Sequence, residues 1–147
     1  MSQAPQALFT AAQQETIVNA IKLAEKQTSG ELRVHIETEC KRPVMERAIE
    51  VFHALKMDET QLHNGVLIYI AIGAKKMAVV GGEGINKKVG QYFWDGTIAQ
   101  LRDDFATQNY TQGLCGAVTE IGKKLKVYFP IQANDTNELL NDISFGE

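Results

Sequence analysis

Cysteine is scarce in this chain: Cys40 and Cys115 are the only two among 147 residues, far apart and outside any CxxC or Cys/His spacing. That argues against a disulfide framework and fits reduced thiols in the cytosol. Positive charge is not in excess either. Fifteen Lys and Arg against 18 Asp and Glu give a formal charge of -3, whereas a nucleic-acid binder normally carries a basic surplus. Lys75-Lys76, Lys87-Lys88 and Lys123-Lys124 are too short to change that and read as solvated faces. Long hydrophobic runs are missing as well: the longest, Val66 to Ile72, is far below the roughly 20 residues of a spanning helix. The opening MSQAPQALFTAAQQET has no basic start followed by an apolar stretch, so no secretory signal is read there and the cytoplasm is the expected compartment. Internal repeats, linkers, Ser/His/Asp or Cys/His constellations and metal-hydrolase motifs are all lacking. The expectation is a single monomeric domain over 1–147, with a core of about 10–130 and an acidic tail of 131–147, long enough to bury a core without metal or disulfide support.

What the chain does contain is a clear order of helix, strand, helix, strand, strand, then helices. Thr10 with Gln13 forms a capping box, and Ile17, Ile21 and Ala24 recur at helical spacing until Ser29-Gly30. Glu31 to Glu39 alternates: Leu32, Val34 and Ile36 lie on one side and Arg33, His35 and Glu37 on the other, which predicts a strand with one wetter face. Pro43 suits a first helical turn, and Val44, Ala48, Val51, Phe52 and Leu55 give the next helix its apolar stripe. Val66 to Ile72 is nearly all apolar, as in a central strand covered on both faces. Strand, helix and strand form a right-handed parallel crossover. Gly73-Ala74-Lys75 is short enough to return Lys76 to Val80 antiparallel, so the sheet is mixed. Further helices carry Ile85, Val89, Tyr92 and Phe93; then Ile98, Leu101 and Phe105 behind an Asp95 cap; then Leu114, Val118, Ile121, Leu125 and Phe129 behind a Thr111 cap, ending at Pro130.

The ordered series SGELRVHIE (29–37), ERAIEVFHALKM (46–57), NGVLIYIA (64–71), GEGI (82–85), FW (93–94), the Phe105 to Leu114 spacing F-x-x-x-x-Y-x-x-GL, FP (129–130) and the tail motif DTNEL resembles the TPM-domain family. That family is named for a thylakoid-lumen phosphatase-like protein, a photosystem II repair protein and a nematode acetylcholine-receptor modulator. The resemblance spans roughly residues 10–145. It implies a Rossmann-like α/β/α sandwich with a small mixed sheet flanked by helices, divalent-cation binding (calcium, with magnesium as the alternative) and a weak acid phosphatase activity seen in plant relatives. In many relatives the position of Gly82 is an aspartate.

With two strands running up and the third down, Gly30-Glu31, Asp58-Glu59 with Asn64, and Gly82-Glu83-Gly84 should gather at one rim of the sheet. Calcium takes six to eight oxygens from carboxylates, amides, backbone carbonyls and water. Glu31, Asn64 and Glu83 can supply such oxygens, glycines 81, 82 and 84 can present carbonyls, and Asp103 or Asp104 can approach from a covering helix. The alternatives are plain: Glu31 as an exposed strand-edge acid, Asn64-Gly65 as the shaper of a strand start, and the glycine run as a phosphate cradle at a helix start. His35, His53 and His63 lack metal spacing, Trp94 reads as core, Cys40 has no evident base, and Asp135 to Glu138 is too short for an EF-hand. Two functions result: a cation-binding interaction module with an unknown protein partner, and a metal-dependent phosphomonoesterase in which rim carboxylates hold a cation that activates water.

Overall fold

The computed structural model describes residues 5–90, 92–131 and 141–146. Helix α1 (Ala11–Glu25) starts at the expected capping box: Thr10 Oγ1 accepts from the Gln13 amide at 3.1 Å and the Thr10 amide donates to Gln13 Oε1 at 2.9 Å. Then follow β1 (Glu31–Glu37), α2 (Val44–Ala54), β2 (Gly65–Ala71), β3 (Lys76–Gly81), α3 (Glu83–Val89), α4 (Asp95–Ala106), α5 (Tyr110–Tyr128) and β4 (Ser144–Phe145). Strand order is β3-β2-β1-β4. β1 runs parallel to β2 in the register Glu31 opposite Gly65, and β3 returns antiparallel with Gly81 opposite Val66. The mixed sheet and the crossover follow the sequence pattern.

Side-chain alternation sorts the core into two layers. Leu32, Val34, Ile36, Val66, Ile68 and Ile70 face α1, α4 and α5, where Ile17, Ile21, Leu101, Leu114, Val118 and Ile121 cover them. Leu67, Tyr69, Ala71, Ala78 and Val80 face α2, meeting Ala48, Val51 and Phe52. Every residue of β2 is buried, which is why that strand reads as a continuous apolar run rather than an alternating one. Trp94 is core, as expected, and both cysteines are free thiols.

Three local expectations are corrected, and one end of the tail, which the sequence leaves open, is placed. β1 ends at Glu37 rather than Glu39. Its polar side is not wet: His35 and Glu37 are buried, because α2 and β2 bring Arg47 and Tyr69 over to satisfy the carboxylate. Neither Asp95 nor Thr111 caps a helix. Trp94 and Asn109 stand at those N-caps with no side-chain cap bond; Lys124 Nζ reaches across from α5 and donates to the Phe93 carbonyl at 3.2 Å, tying α5 to the segment before α4. Finally, the end of the tail joins the sheet: Ser144 and Phe145 pair parallel with His35 and Ile36, and the Gly146 amide donates to the Ile36 carbonyl at 2.8 Å. The Asp135 to Glu138 segment lies outside the described residues.

Candidate functional site

The rim expected from topology exists. At the amino ends of β1 and β2 the Glu31 amide donates to the Asn64 carbonyl at 3.3 Å, the Gly82 amide to the Gly65 carbonyl at 2.8 Å and the Gly84 amide to the His63 carbonyl at 2.8 Å. Three loops, 26–30, 60–64 and 81–84, are thereby laced together. The close approach explains the glycines. A Cβ on Gly82 would sit 2.5 Å from the His63 carbonyl oxygen, and one on Gly84 2.2 Å from that of Leu62, so both positions exclude any side chain while the loops stay as they are.

Glu31 is the centre of the rim and is buried, not an exposed edge acid. Its neighbour is a residue the sequence reading missed, Glu25, in the last turn of α1. Glu25 Oε2 accepts from the Leu32 amide at 2.7 Å, satisfying a backbone donor at the edge of β1 left open by the two-residue β4. Glu31 is close enough to act on this acid by both charge and hydrogen bonding. Burial first, then the charge and hydrogen bond of Glu31, push the Glu25 acid up to about 8, against the opposing pull of the Leu32 amide. The pair therefore holds a proton at neutral pH, as two close carboxyls must when both cannot ionise cheaply. Asn64 is buried beside them, with Nδ2 3.5 Å from Ser29 Oγ.

The remaining candidates separate. Glu83 opens α3 on the same rim but points to solvent. It follows closely on β3, which lies two places from β1 in the sheet, and at about 4.8 Å per strand that edge stands about 10 Å from the backbone of Glu31. Asp103 and Asp104 do not reach the rim. They lie near the carboxyl end of α4, whose Arg102, Phe105 and Ala106 meet Ile70 to Ile72 at the far end of β2; a seven-residue strand puts roughly 20 Å between those ends. Asp104 instead accepts from Gln100 Nε2 at 3.4 Å. The glycine carbonyls are not open either. Gly81 accepts from Asn86 Nδ2 at 2.9 Å and Gly82 from the Asn86 amide at 3.0 Å. Asp58 pairs with His53 at 3.2 Å. Helix α3 has seven residues, too short to support the phosphate-cradle reading.

A cation at this rim would meet hard oxygen donors: two carboxyls, the amide of Asn64 and the hydroxyl of Ser29. That set fits calcium or magnesium, and a carboxyl pair already holding a proton is a place where a divalent ion can take the proton's role. Among the described residues no group of three or more His, Cys, Asp or Glu side chains is arranged to hold a metal. Two carboxylates with water completing the shell correspond to the weak end of calcium affinity.

The opposite rim holds a second charged cluster. Arg47 Nε and Nη2 grip Glu37 in a fork at 2.9 Å each, Tyr69 donates its hydroxyl to the same carboxylate, and His35 Nε2 lies 3.0 Å away. Burial alone would raise the Glu37 acid, but the bonds from Arg47, Tyr69 and His35 win and hold it near 2. Burial shifts His35 below its ordinary value, and its Nδ1 meets Ser144 Oγ of β4 at 2.9 Å. Arg47, with Arg42, also pairs with Glu50 on the same helix. Every charge in this cluster is matched by a protein partner, which makes it a clamp between β1, β2, α2 and β4. Cys40, just beyond, donates its thiol to the Arg42 carbonyl at 3.2 Å.

Residues 3–124 match the TPM domain. The solution structure of the BA42 protein from the psychrophilic bacterium Bizionia argentinensis superposes with a TM-score of 0.87 at 46% identity, covering 94% of this chain and 95% of that one. The N-terminal domain of a protein from P. gingivalis has a TM-score of 0.67 at 17% identity over 83% of this chain and 79% of its own. The N-terminal domain of the cg2496 protein from Corynebacterium glutamicum has 0.62 at 9% over 79% and 73%; these two show the fold alone. No curated protein matches the chain. Among the described residues no helix is long and apolar enough to cross a membrane.

Proposed function

The chain belongs to the TPM-domain family, and from that premise we propose that it is a small binding module in which a divalent cation, calcium or magnesium, orders one rim of the sheet for a protein partner. The observation that carries this reading is the Glu25–Glu31 carboxyl pair with Asn64 beside it. In the free module the pair is held by a proton. A cation replaces that proton, relieves the repulsion between the two carboxylates, and fixes the loops that carry them. Because 26–30, 60–64 and 81–84 are laced by backbone hydrogen bonds, fixing one fixes the surface formed by all three. Glu83, exposed at the margin, then contributes charge to the partner surface or to the outer hydration of the ion.

Phosphomonoester hydrolysis is the weaker reading, because no activated nucleophile stands at the pair. The hydroxyl of Thr28 is committed, donating to the Phe129 carbonyl and accepting from the Gly30 amide at 3.0 Å, while Ser29 Oγ is shared between Phe129 and Asn64. The test is a calcium and magnesium titration of chelator-treated protein followed by amide NMR. Saturable shifts confined to 25–32 and 62–65, abolished in E31Q and much weakened in E25Q, are expected. No saturation up to millimolar cation, or the same shifts in both variants, overturns the cation-binding module. Turnover of a phosphate ester that requires the cation and falls with E31Q would instead establish the hydrolase.

A further inference from the structure

A cleft of about 460 Å³ opens at the other end of the sheet, where the last residues of β2 and the β2–β3 turn meet the end of α4 and the start of α5. Its walls are apolar: Ile72 and Met77 from the sheet side, Phe105 and Tyr110 from the helices, the two rings packed edge to face with centroids 4.9 Å apart. Two cations stand at its mouth, Lys75 from the turn and Arg102 from α4. Among the described residues neither forms an ion pair. This differs from the Glu37 clamp, where each charge is answered by another protein group. The size lies within the range of small-molecule sites, and so does the composition, mostly apolar with a few polar groups that fix orientation. The location agrees as well: in open α/β sheets ligands bind outside the carboxyl ends of the parallel strands, and Ile70 and Ala71 end β2 with Ile72 directly after them.

We propose that this cleft binds a small monocarboxylate with an aliphatic or aromatic body, the apolar part lying against Ile72, Met77, Phe105 and Tyr110 and the carboxylate held between Arg102 and Lys75. Arginine suits the role because its planar fork matches a carboxylate in two parallel hydrogen bonds, with the lysine as a second point charge. An apolar body without the acid leaves both cations solvated and gains nothing from them; an amine is repelled by them. The site lies a strand length away from the Glu25–Glu31 rim and does not depend on the cation reading.

The test uses the full chain in the presence of chelator, titrated with octanoate, 1-octanol and octylamine and followed by amide and methyl NMR. Octanoate is expected to give saturable shifts confined to 70–77 and 102–110, with octanol about tenfold weaker and octylamine weaker still. Both cationic side chains are exposed, so the double variant K75Q/R102Q keeps the fold. Each exposed ion pair contributes modestly, so losing both should make this variant bind octanoate about tenfold more weakly while octanol is unaffected. A second variant, A106F, places a ring in the mouth of the cleft and should abolish octanoate binding. The proposal is overturned if octanoate gives no saturable shift below the concentration at which it self-associates, if octanol or octylamine binds as well as octanoate, or if K75Q/R102Q leaves its affinity unchanged.

Discussion

Replacing Glu25 by glutamine should stabilise the chelated protein in alkaline buffer and leave it unchanged in mild acid. Burial and the neighbouring Glu31 push the native acid up to about 8 from an ordinary value of 4.5. Between those values the folded state keeps a proton that the unfolded chain has lost. The stability this represents is complete below about 4.5 and disappears as pH rises through 8. At about 1.4 kcal/mol for each pH unit between the two values, fully ionising the pair would cost on the order of 4–5 kcal/mol; solvent reaching the half-buried Glu25 side chain reduces this to roughly 2–3 kcal/mol. Glutamine keeps the geometry, since its carbonyl can accept from the Leu32 amide and its NH2 can donate to Glu31, and it has no charge to lose. With about 2–4 °C of melting temperature per kcal/mol in a chain of this size, E25Q should melt about 5–10 °C above the parent at pH 8.5 and within about 2 °C of it at pH 5. Thermal denaturation of both proteins across that range, in chelator, gives the two curves. Parallel pH profiles would refute the idea that the pair holds a proton.

Other expectations follow from single contacts. G84A should cost about 1–3 kcal/mol in denaturant unfolding, because the new methyl meets the Leu62 carbonyl at 2.2 Å; G82D, which adds a carboxylate at the rim, should likewise destabilise rather than tighten cation binding, since its Cβ meets the His63 carbonyl at 2.5 Å. R47M leaves a buried Glu37 carboxylate without its main partner and should cost about 3 kcal/mol at neutral pH. With Glu37 held near 2, the parent's advantage over R47M is present above about pH 4.5 and fades as pH falls through 2, which paired unfolding curves would show. S144A removes the hydroxyl bonded to His35 and should speed hydrogen exchange of the Gly146 amide about fivefold, the equivalent of a hydrogen bond of about 1 kcal/mol.

The fold was legible because its hydrophobic periods are clean. The all-apolar Val66 to Ile72 marked the central strand, and the three-residue turn at Gly73 to Lys75 set its antiparallel neighbour, which together placed Asn64 and Gly82 on one rim. β4 was not legible: Ser144 and Phe145 are too few to show a period, and they pair with β1 through backbone bonds that leave no pattern in the side chains. The arrangement of the candidate residues was half legible. Glu31 and Asn64 sit where topology put them, but Glu25 ends a helix and is spaced like any solvated glutamate, so only its tertiary approach to Leu32 and Glu31 reveals it. Asp103 and Asp104 were misplaced because sequence gives the length of α4 but not its direction across the sheet. His35 and Glu37 looked solvent-facing because alternation reports polarity, and the partners that let a polar face be buried, Arg47 and Tyr69, come from other elements.

The central claim is that a divalent cation replaces a proton held by Glu25 and Glu31. Calorimetric titration of the chelator-treated protein with calcium at pH 7, repeated in two buffers of different ionisation enthalpy, reads that exchange directly. The account predicts saturable binding with release of close to one proton per ion, and neither binding nor release in E31Q. Binding without proton release, or binding undiminished in E31Q, would contradict it.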